Sequence, residues 1–536
     1  MAVSPFPTSV KGCDSPSITM EKGRYRIRAP STAPIANPIF TAKQSTLKRS
    51  RQNTSGISFM AALVVLLALA CLSSFGFAYY LFTTRWDATI PPEISVLADA
   101  NPQVIPFESL QSHSPTIHHS EKFLSYLPHS GLHNQRIALE NALILGALTN
   151  RTVLVPPIRL GSKPLRYVNS DSLQHILSIS GKTGLRHCSR VSARFLPPEC
   201  YDYFDYTHIS PAWLFNLTRS EFFPPLVFLD DLSVLPMRRR LQLPVSDIFT
   251  FRDSTPYHHR FIDTNTDTSA LKHKYTESIY ISDLAQYPHR LLELGTLFGS
   301  SRLRLRHENN KRIRTQVRER MEFTSPQLVA TADAIVTAIG EPYVGVHVRL
   351  GDGSFKANGD ENLRRLWWTL VHDILQYTVS ETLHIGLTLG VFSSSEPLVT
   401  SSFAVKQSWP YLLHTDHSTG NLSCRGHRHP SPHMHRLNSP LFIATDDPAN
   451  PSFSGLLRTF PCALFLSDFA VHARRVDGLL NDYDGTLMGP FLLPLLDAMV
   501  VGRAGAVAVT EGSTFSRFIH DVLWRRHHGL DIIERG

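Results

Sequence analysis

The chain has 536 residues, 42% hydrophobic and 18% charged, with six cysteines and a formal net charge of +8. Residues 1–56 hold nine basic against two acidic residues, which leaves 44 basic against 43 acidic in the remainder. A near-neutral globular part excludes a nucleic-acid binder despite the overall basic balance, and the length exceeds what one hydrophobic core carries.

The basic residues of the tail, residues 1–56, are Lys11, Lys22, Arg24, Arg26, Arg28, Lys43, Lys48, Arg49 and Arg51, opposed by Asp14 and Glu21. Residues 57–82 follow without a charge and include M-A-A-L-V-V-L-L-A-L-A. A hydrocarbon core about 30 Å thick needs roughly 20 apolar residues in a helix, so this stretch is expected to span a membrane. It starts too far from Met1 and runs too long for a signal peptide. The basic flank places the amino terminus in the cytosol and the bulk of the chain across the membrane, a type II arrangement. The plainer reading is a buried apolar helix of a soluble protein. Residues 83–120 are rich in Pro, Ser and His without a sustained period and read as a stem.

Two domains are expected beyond it, residues 121–324 and 325–536. The first opens with Tyr126-Leu127-Pro128-His129-Ser130-Gly131-Leu132-His133-Asn134-Gln135-Arg136. From Ile137 the spacing of Leu139, Ala142, Leu143, Leu145, Ala147 and Leu148 predicts a helix that Asn150 ends. Thr152-Val153-Leu154-Val155 then reads as a strand, stopped by Pro156 and Pro157. A loop, a helix and a buried strand in that order open a doubly wound α/β domain. Arg302 to Met321 carries eight Lys and Arg residues with Glu308 and Glu319 interleaved, and reads as a solvated helix near the domain junction, with phosphate binding as the sharper alternative.

In the second domain a helix over Ser325 to Ile339 precedes a strand over Tyr343 to Val348. Further buried strands are expected at Leu441 to Ala444, Cys462 to Leu466 and Ala506 to Val509. Residues 382–440 form an irregular polar insert with His414, His417, His427, His429, His433 and His435, whose spacing matches no structural zinc site. Asp482-Tyr483-Asp484 is a D-x-D triplet in a Gly-rich turn, where Asn and Asp serve turn formation. Cys188, Cys200, Cys424 and Cys462 fit two disulfides of an oxidising lumen. The sequence-near pairing is Cys188–Cys200 and Cys424–Cys462, although four cysteines allow three connectivities. Sequons start at Asn150, Asn216 and Asn421.

Three segments converge on one kind of ligand. The turn through Gly131, His133 and Asn134 precedes a helix and offers backbone N–H groups at the positive end of its dipole. The strand ending in His347 and Arg349 delivers a permanently charged planar fork to its carboxyl end, where open parallel sheets bind ligands. Thr510-Glu511-Gly512-Ser513-Thr514-Phe515-Ser516 is again a small-residue loop between strand and helix. Helix caps and a structural ion pair are the bland readings of each. Together they suggest a nucleotide diphosphate held without a Walker lysine.

At these residues the chain resembles the GDP-fucose protein O-fucosyltransferases, most closely a fungal membrane-anchored branch. L-P-H-S-G-L-H-N-Q-R, H-V-R at His347 to Arg349 and E-G-S-T-F-S at Glu511 to Ser516 are similar to that family's three motif regions, in order, across most of Tyr126 to Trp524. The resemblance implies two facing Rossmann-like domains of the GT-B type, inversion at the sugar carbon, GDP-fucose as donor, no metal and no further cofactor. It implies that Arg349 holds the β-phosphate and stabilises the leaving GDP, and that His347 contacts the donor. Asn134 would face donor and acceptor, Ser513, Thr514 and Phe515 the diphosphate, and Asp446 the nucleoside. The acceptor would be a protein or glycan hydroxyl, and the compartment the endoplasmic reticulum or Golgi. The amino-terminal motif departs from some members in having no carboxylate, so His129 or His133 is the expected base, with Asp352 a further candidate. The same fold with another nucleotide sugar, a non-catalytic sugar-binding relative, and a defective product with an aberrant insert stand as alternatives.

Overall fold

The computed structural model describes residues 18–21, 24–27, 64–74, 103–107, 120–191, 196–218, 221–264, 274–340, 342–351, 353–392 and 424–533. The chain divides into two units, residues 1–98 and 99–536. In the first, Ile18–Glu21 pairs antiparallel with Arg24–Ile27, and residues 64–74 are helical. Among the described residues no helix is long and apolar enough to cross a membrane. The rest of the expected span over 57–82 lies outside the described residues. So do Asp352, His414, His417, Asn421 and most of the expected stem.

The second unit is built on two parallel sheets. Strand β1 (Phe123–Ser125) leads through a loop to helix α1 (Leu132–Thr149), followed by β2 (Thr152–Val155), β3 (Leu226–Phe228), β4 (Ile248–Thr250), β5 (His259–Ile262), β6 (Glu277–Tyr280) and β7 (Leu291–Glu293). The five-stranded sheet runs β3-β2-β1-β7-β4, and β5 pairs in parallel with β6 in a separate small sheet. Helices α2 (Glu308–Glu319) and α3 (Pro326–Ile339) lead to β8 (Val344–Val348), β9 (Leu441–Thr445), β10 (Ala463–Phe465), helix α4 (Gly489–Gly502), β11 (Ala506–Val509) and helix α5 (Thr514–Phe518). This second sheet runs β10-β9-β8-β11, all parallel.

Residues in a strand alternate faces, and both faces of a parallel sheet are covered. Leu441 and Ile443 accordingly pack into one cluster with Val344, Val346 and Trp367, while Phe442 and Ala444 pack into another with Leu492 and Trp524. In the first sheet Phe123, Leu154 and Leu291 face one cluster, and Leu124, Val153 and Leu292 the other. This is why these strands read as continuous apolar runs. The helix-rich cluster is shared by the two sheets, joining α1 to α3 and α4 in one core.

In each sheet the strand earliest in the chain lies between two later ones. β1 sits between β2 and β7, and β8 between β9 and β11. Loops leaving two such adjacent strands diverge and open a crevice at their carboxyl ends. The loop to Gly131 leaves β1, and Arg349 to Gly351 leave β8.

Two expectations need correction. Val104–Ile105, placed in the stem, pair in parallel with Leu480–Asn481, Ile105 is buried, and the Phe107 ring lies 4.9 Å from Tyr483. The basic run is not a solvated face, since Arg302, Arg314 and Arg318 are buried. Arg302 donates to the carbonyls of Phe298, His259 and Pro256, and Arg318 to Glu140. Long cationic side chains turned inward where the fold supplies oxygen partners.

Candidate functional site

Arg349 leaves β8 beside Asp446 at the end of β9. Its guanidinium lies 2.9 Å from Asp446 Oδ2. The same carboxylate accepts from the backbone N–H of Leu350 at 2.7 Å and of Gly351 at 3.0 Å. A Cβ at position 351 would fall 2.7 Å from Asp446 Oδ2, so this close approach requires glycine. Asp446, expected to contact the nucleoside, orients Arg349 and shapes its turn. Thr510, at the end of β11, closes the other side. Its Oγ1 accepts from the Arg349 N–H at 2.9 Å and donates to the His347 carbonyl at 3.1 Å.

His347 is buried, with Nδ1 2.7 Å from Ser516 Oγ. Burial, and then the positive charge of Arg349, pull its pKa down to about 3, so the ring is neutral. Its edge meets Phe515 at 5.4 Å, and Phe515 in turn lies 6.5 Å from the His133 ring. His133 also packs 5.1 Å from Phe518. The amino end of α1 and the loop before α5 are thereby joined to the end of β8, though the three are far apart in the chain. The three segments singled out from the sequence meet.

Ser513 performs the capping role, its hydroxyl accepting from the Ser516 N–H at 3.3 Å. Thr514 is exposed beside it. At the other helix no side chain caps Gly131 and no acidic residue occupies the first turn, which leaves the dipole end of α1 available to an anion. A Cβ on Gly131 would meet nothing within 4 Å. Ser130 just before it has φ 66°, a left-handed conformation rare for serine and found where a fold over-determines a functional turn. Asn134 Oδ1 is buried with no hydrogen-bond partner among the described residues.

The two imidazoles expected to act as base are held differently. His129 Nδ1 lies 2.8 Å from Ser130 Oγ and Nε2 lies 2.6 Å from Thr296 Oγ1, so both nitrogens are taken. Burial foremost, then Arg302, lower its pKa to about 4. That ring braces the turn between Tyr167 and Phe298 and is not placed to receive a proton from an acceptor. His133 Nδ1 accepts from Arg136 Nε at 3.4 Å. Burial, with Arg136 and Arg318 nearby, holds its pKa well below the usual range. The neutral ring then carries its proton on Nε2 and offers a donor, not a base.

Arg136 stands in the quoted motif, yet its part could not be read there. It is buried, with its guanidinium 4.6 Å from the Phe518 ring centroid and 3.2 Å from Glu140. Glu140 also receives Arg318 of α2 at 2.7 Å. The signal available was Arg136 and Glu140 at a four-residue helical spacing. The third partner lies 178 residues away.

Elsewhere, Cys188–Cys200 and Cys424–Cys462 are disulfide-bonded, with Cα atoms 5.4 and 4.2 Å apart. Asp484 of the D-x-D triplet is buried, pairs with Lys182 and accepts from Thr207 at 2.8 Å. Its carboxylate pins a turn, accepting also from the Thr486 hydroxyl at 2.7 Å. Thr152 of the first sequon is buried and donates to Glu121 at 2.6 Å.

No protein-family model matches the chain. A stretch of 58 residues, 10% of the chain, is 45% identical to O-fucosyltransferase 30 of Arabidopsis thaliana and covers 11% of that protein. Among solved structures the chain is similar to POFUT1 in complex with GDP, at 10% identity over 76% of this chain and 96% of that one, with a TM-score of 0.33. It is likewise similar to POFUT1 in complex with GDP-fucose, at 12% identity over 77% and 96%, with a TM-score of 0.32.

Proposed function

We propose that the chain is a glycosyltransferase that moves fucose from GDP-fucose to a hydroxyl acceptor with inversion, without a metal in the transfer step. The observation that carries this reading is the meeting, around Phe515, of the strand end bearing a neutral buried His347 and an oriented Arg349 with the amino end of α1. Loss of GDP builds negative charge on the β-phosphate, and a fixed guanidinium with backbone dipoles stabilises such charge without a metal. The likeness of one short stretch to an O-fucosyltransferase supports fucose as the sugar.

In this reading Asp446 keeps Arg349 aimed, and its planar guanidinium takes phosphate oxygens when the donor binds. His133 Nε2–H and Asn134 Oδ1 offer a donor and an acceptor to the sugar or the acceptor hydroxyl. An apolar anchor over 57–82 with the catalytic unit in the Golgi or endoplasmic reticulum lumen belongs to the same proposal, and the charge asymmetry of residues 1–56 supports it.

Incubation of the purified full-length chain with GDP-fucose and candidate glycoprotein acceptors is expected to release GDP and give a fucosylated product of inverted anomeric configuration. Release from another nucleotide sugar alone would overturn the donor assignment. One observation favours a second reading, a non-catalytic binder: His129 has both nitrogens engaged and the neutral His133 offers a donor. GDP binding with no turnover on any acceptor would decide for it.

Asn134 provides a separation of function from stability. A buried unpaired oxygen costs about 1–3 kcal/mol in the fold. Asn134→Ala removes it, so the thermal midpoint is expected to hold or rise while turnover falls about tenfold or more. A lowered midpoint with unchanged turnover would assign Asn134 to the fold alone.

A further inference from the structure

Away from the crevice, at the small sheet formed by β5 and β6, two histidines and a carboxylate converge. The parallel register sets His259 opposite Glu277. His259 Nε2 lies 3.4 Å from Glu277 Oε2, and His258 Nε2 lies 3.8 Å from the same oxygen. One ligand atom from each of the three lies within 4.8 Å of the other two. The two imidazoles stack at 4.3 Å and 14°, so their lone pairs run nearly parallel and one ring must turn for both to share an ion. A zinc ion bound at about 2.0–2.2 Å by nitrogen and oxygen in a tetrahedron needs ligand atoms roughly 3.3 Å apart. The two His–Glu separations lie near that value, and the third pair is within 4.8 Å.

The surrounding groups decide which nitrogen faces inward. Asp253 is buried, and its Oδ1 lies 2.7 Å from His259 Nδ1. A carboxylate there takes the Nδ1 proton and leaves the Nε2 lone pair facing Glu277, the second-layer arrangement that orients metal-bound histidines. Asp253 is itself fixed, since Oδ2 accepts from the Thr296 N–H at 2.5 Å. His258 Nδ1 lies 2.8 Å from Ser254 Oγ, which can accept its proton in the same way. The Ser254 N–H, 3.1 Å from that nitrogen, would then lose its acceptor, a cost that limits the affinity.

We propose that His258, His259 and Glu277 bind a divalent transition-metal ion of the zinc type through two Nε2 atoms and one carboxylate, with water completing the tetrahedron. The ion ties β6 to the start of β5. It shares no residue with the Arg349 crevice, and its role is structural. Binding through nitrogen and carboxylate oxygen lone pairs involves no redox change.

The test is a zinc titration of the full-length chain after chelation, compared with Glu277→Gln and His258→Ala. Bound zinc is read by elemental analysis and the coordination by Co(II) visible absorption. The native chain is expected to bind one equivalent more than either variant, or to bind it at least tenfold more tightly, and zinc is expected to raise the thermal midpoint of the native chain only. Because the Glu277 side chain is 57% exposed, Glu277→Gln retains the fold even where His258→Ala does not. The comparison also separates this site from the histidine-rich residues of 382–440, which all three proteins share. Equal stoichiometry and affinity in the native chain and Glu277→Gln, or no zinc bound by the native chain, would overturn the proposal.

Discussion

Arg349→Ala is expected to lower GDP release from GDP-fucose by about 10²–10³-fold, the usual loss when one fixed donor to developing negative charge is removed. The fold should survive, because the side chain is 35% exposed and Asp446 keeps its two backbone N–H partners at 2.7 and 3.0 Å. Arg349→Lys should not restore the rate, since an ammonium cannot hold a carboxylate and a phosphate in the planar geometry of a guanidinium. Circular dichroism checks the fold, and a coupled GDP assay reads turnover. Turnover at the native rate in Arg349→Ala would remove that residue from the leaving-group role and with it the reading of the crevice.

The second large effect is on stability. Glu140→Ala is expected to cost about 3–5 kcal/mol, because it leaves the buried guanidiniums of Arg136 and Arg318 facing one another without their shared carboxylate. Urea denaturation measures it. Arg136 also rests on Phe518, so the amino end of α1 should lose its seat against α5, and turnover should fall with stability. Glu140→Gln preserves the shape but not the charge and should cost less. Burial raises the Glu140 pKa, but Arg318 and Arg136 together outweigh it and hold the group below its ordinary 4.5. A carboxyl depressed in the folded state contributes fully above its unfolded value and loses that contribution as pH falls through the folded value. The native chain should therefore weaken below about pH 4.5, and Glu140→Gln should flatten that part of the profile. An unchanged acid limb in the variant would show that the triad is not what acid titrates.

The difference between these two effects follows from where each partner comes from. Arg349 and Asp446 sit at the ends of strands that are visible in the chain as contiguous apolar runs, because parallel strands are covered on both faces. The expected strands at 343–348, 441–444 and 506–509 accordingly differ from β8, β9 and β11 by a residue at most. Asn150 ends α1 with φ 51°, as a residue tolerant of the left-handed region should. By contrast β1, β3, β4 and β7 have only three residues each, too few to display a period.

By itself, then, the order of apolar runs and turn residues settled the α/β class, the central helix and strands, and the loops that carry Gly131, Arg349 and Ser513. Local patterning suffices for these, since each strand or helix buries its apolar side whatever its neighbours are. Whether a charged or polar side chain lies inside depends on a partner supplied from elsewhere. Glu140 turns Arg318 inward, Thr296 and Ser130 occupy both nitrogens of His129, and Ser516 fixes His347. An isolated charge prefers water and gives it up only for a compensating group, so that choice belongs to the tertiary structure.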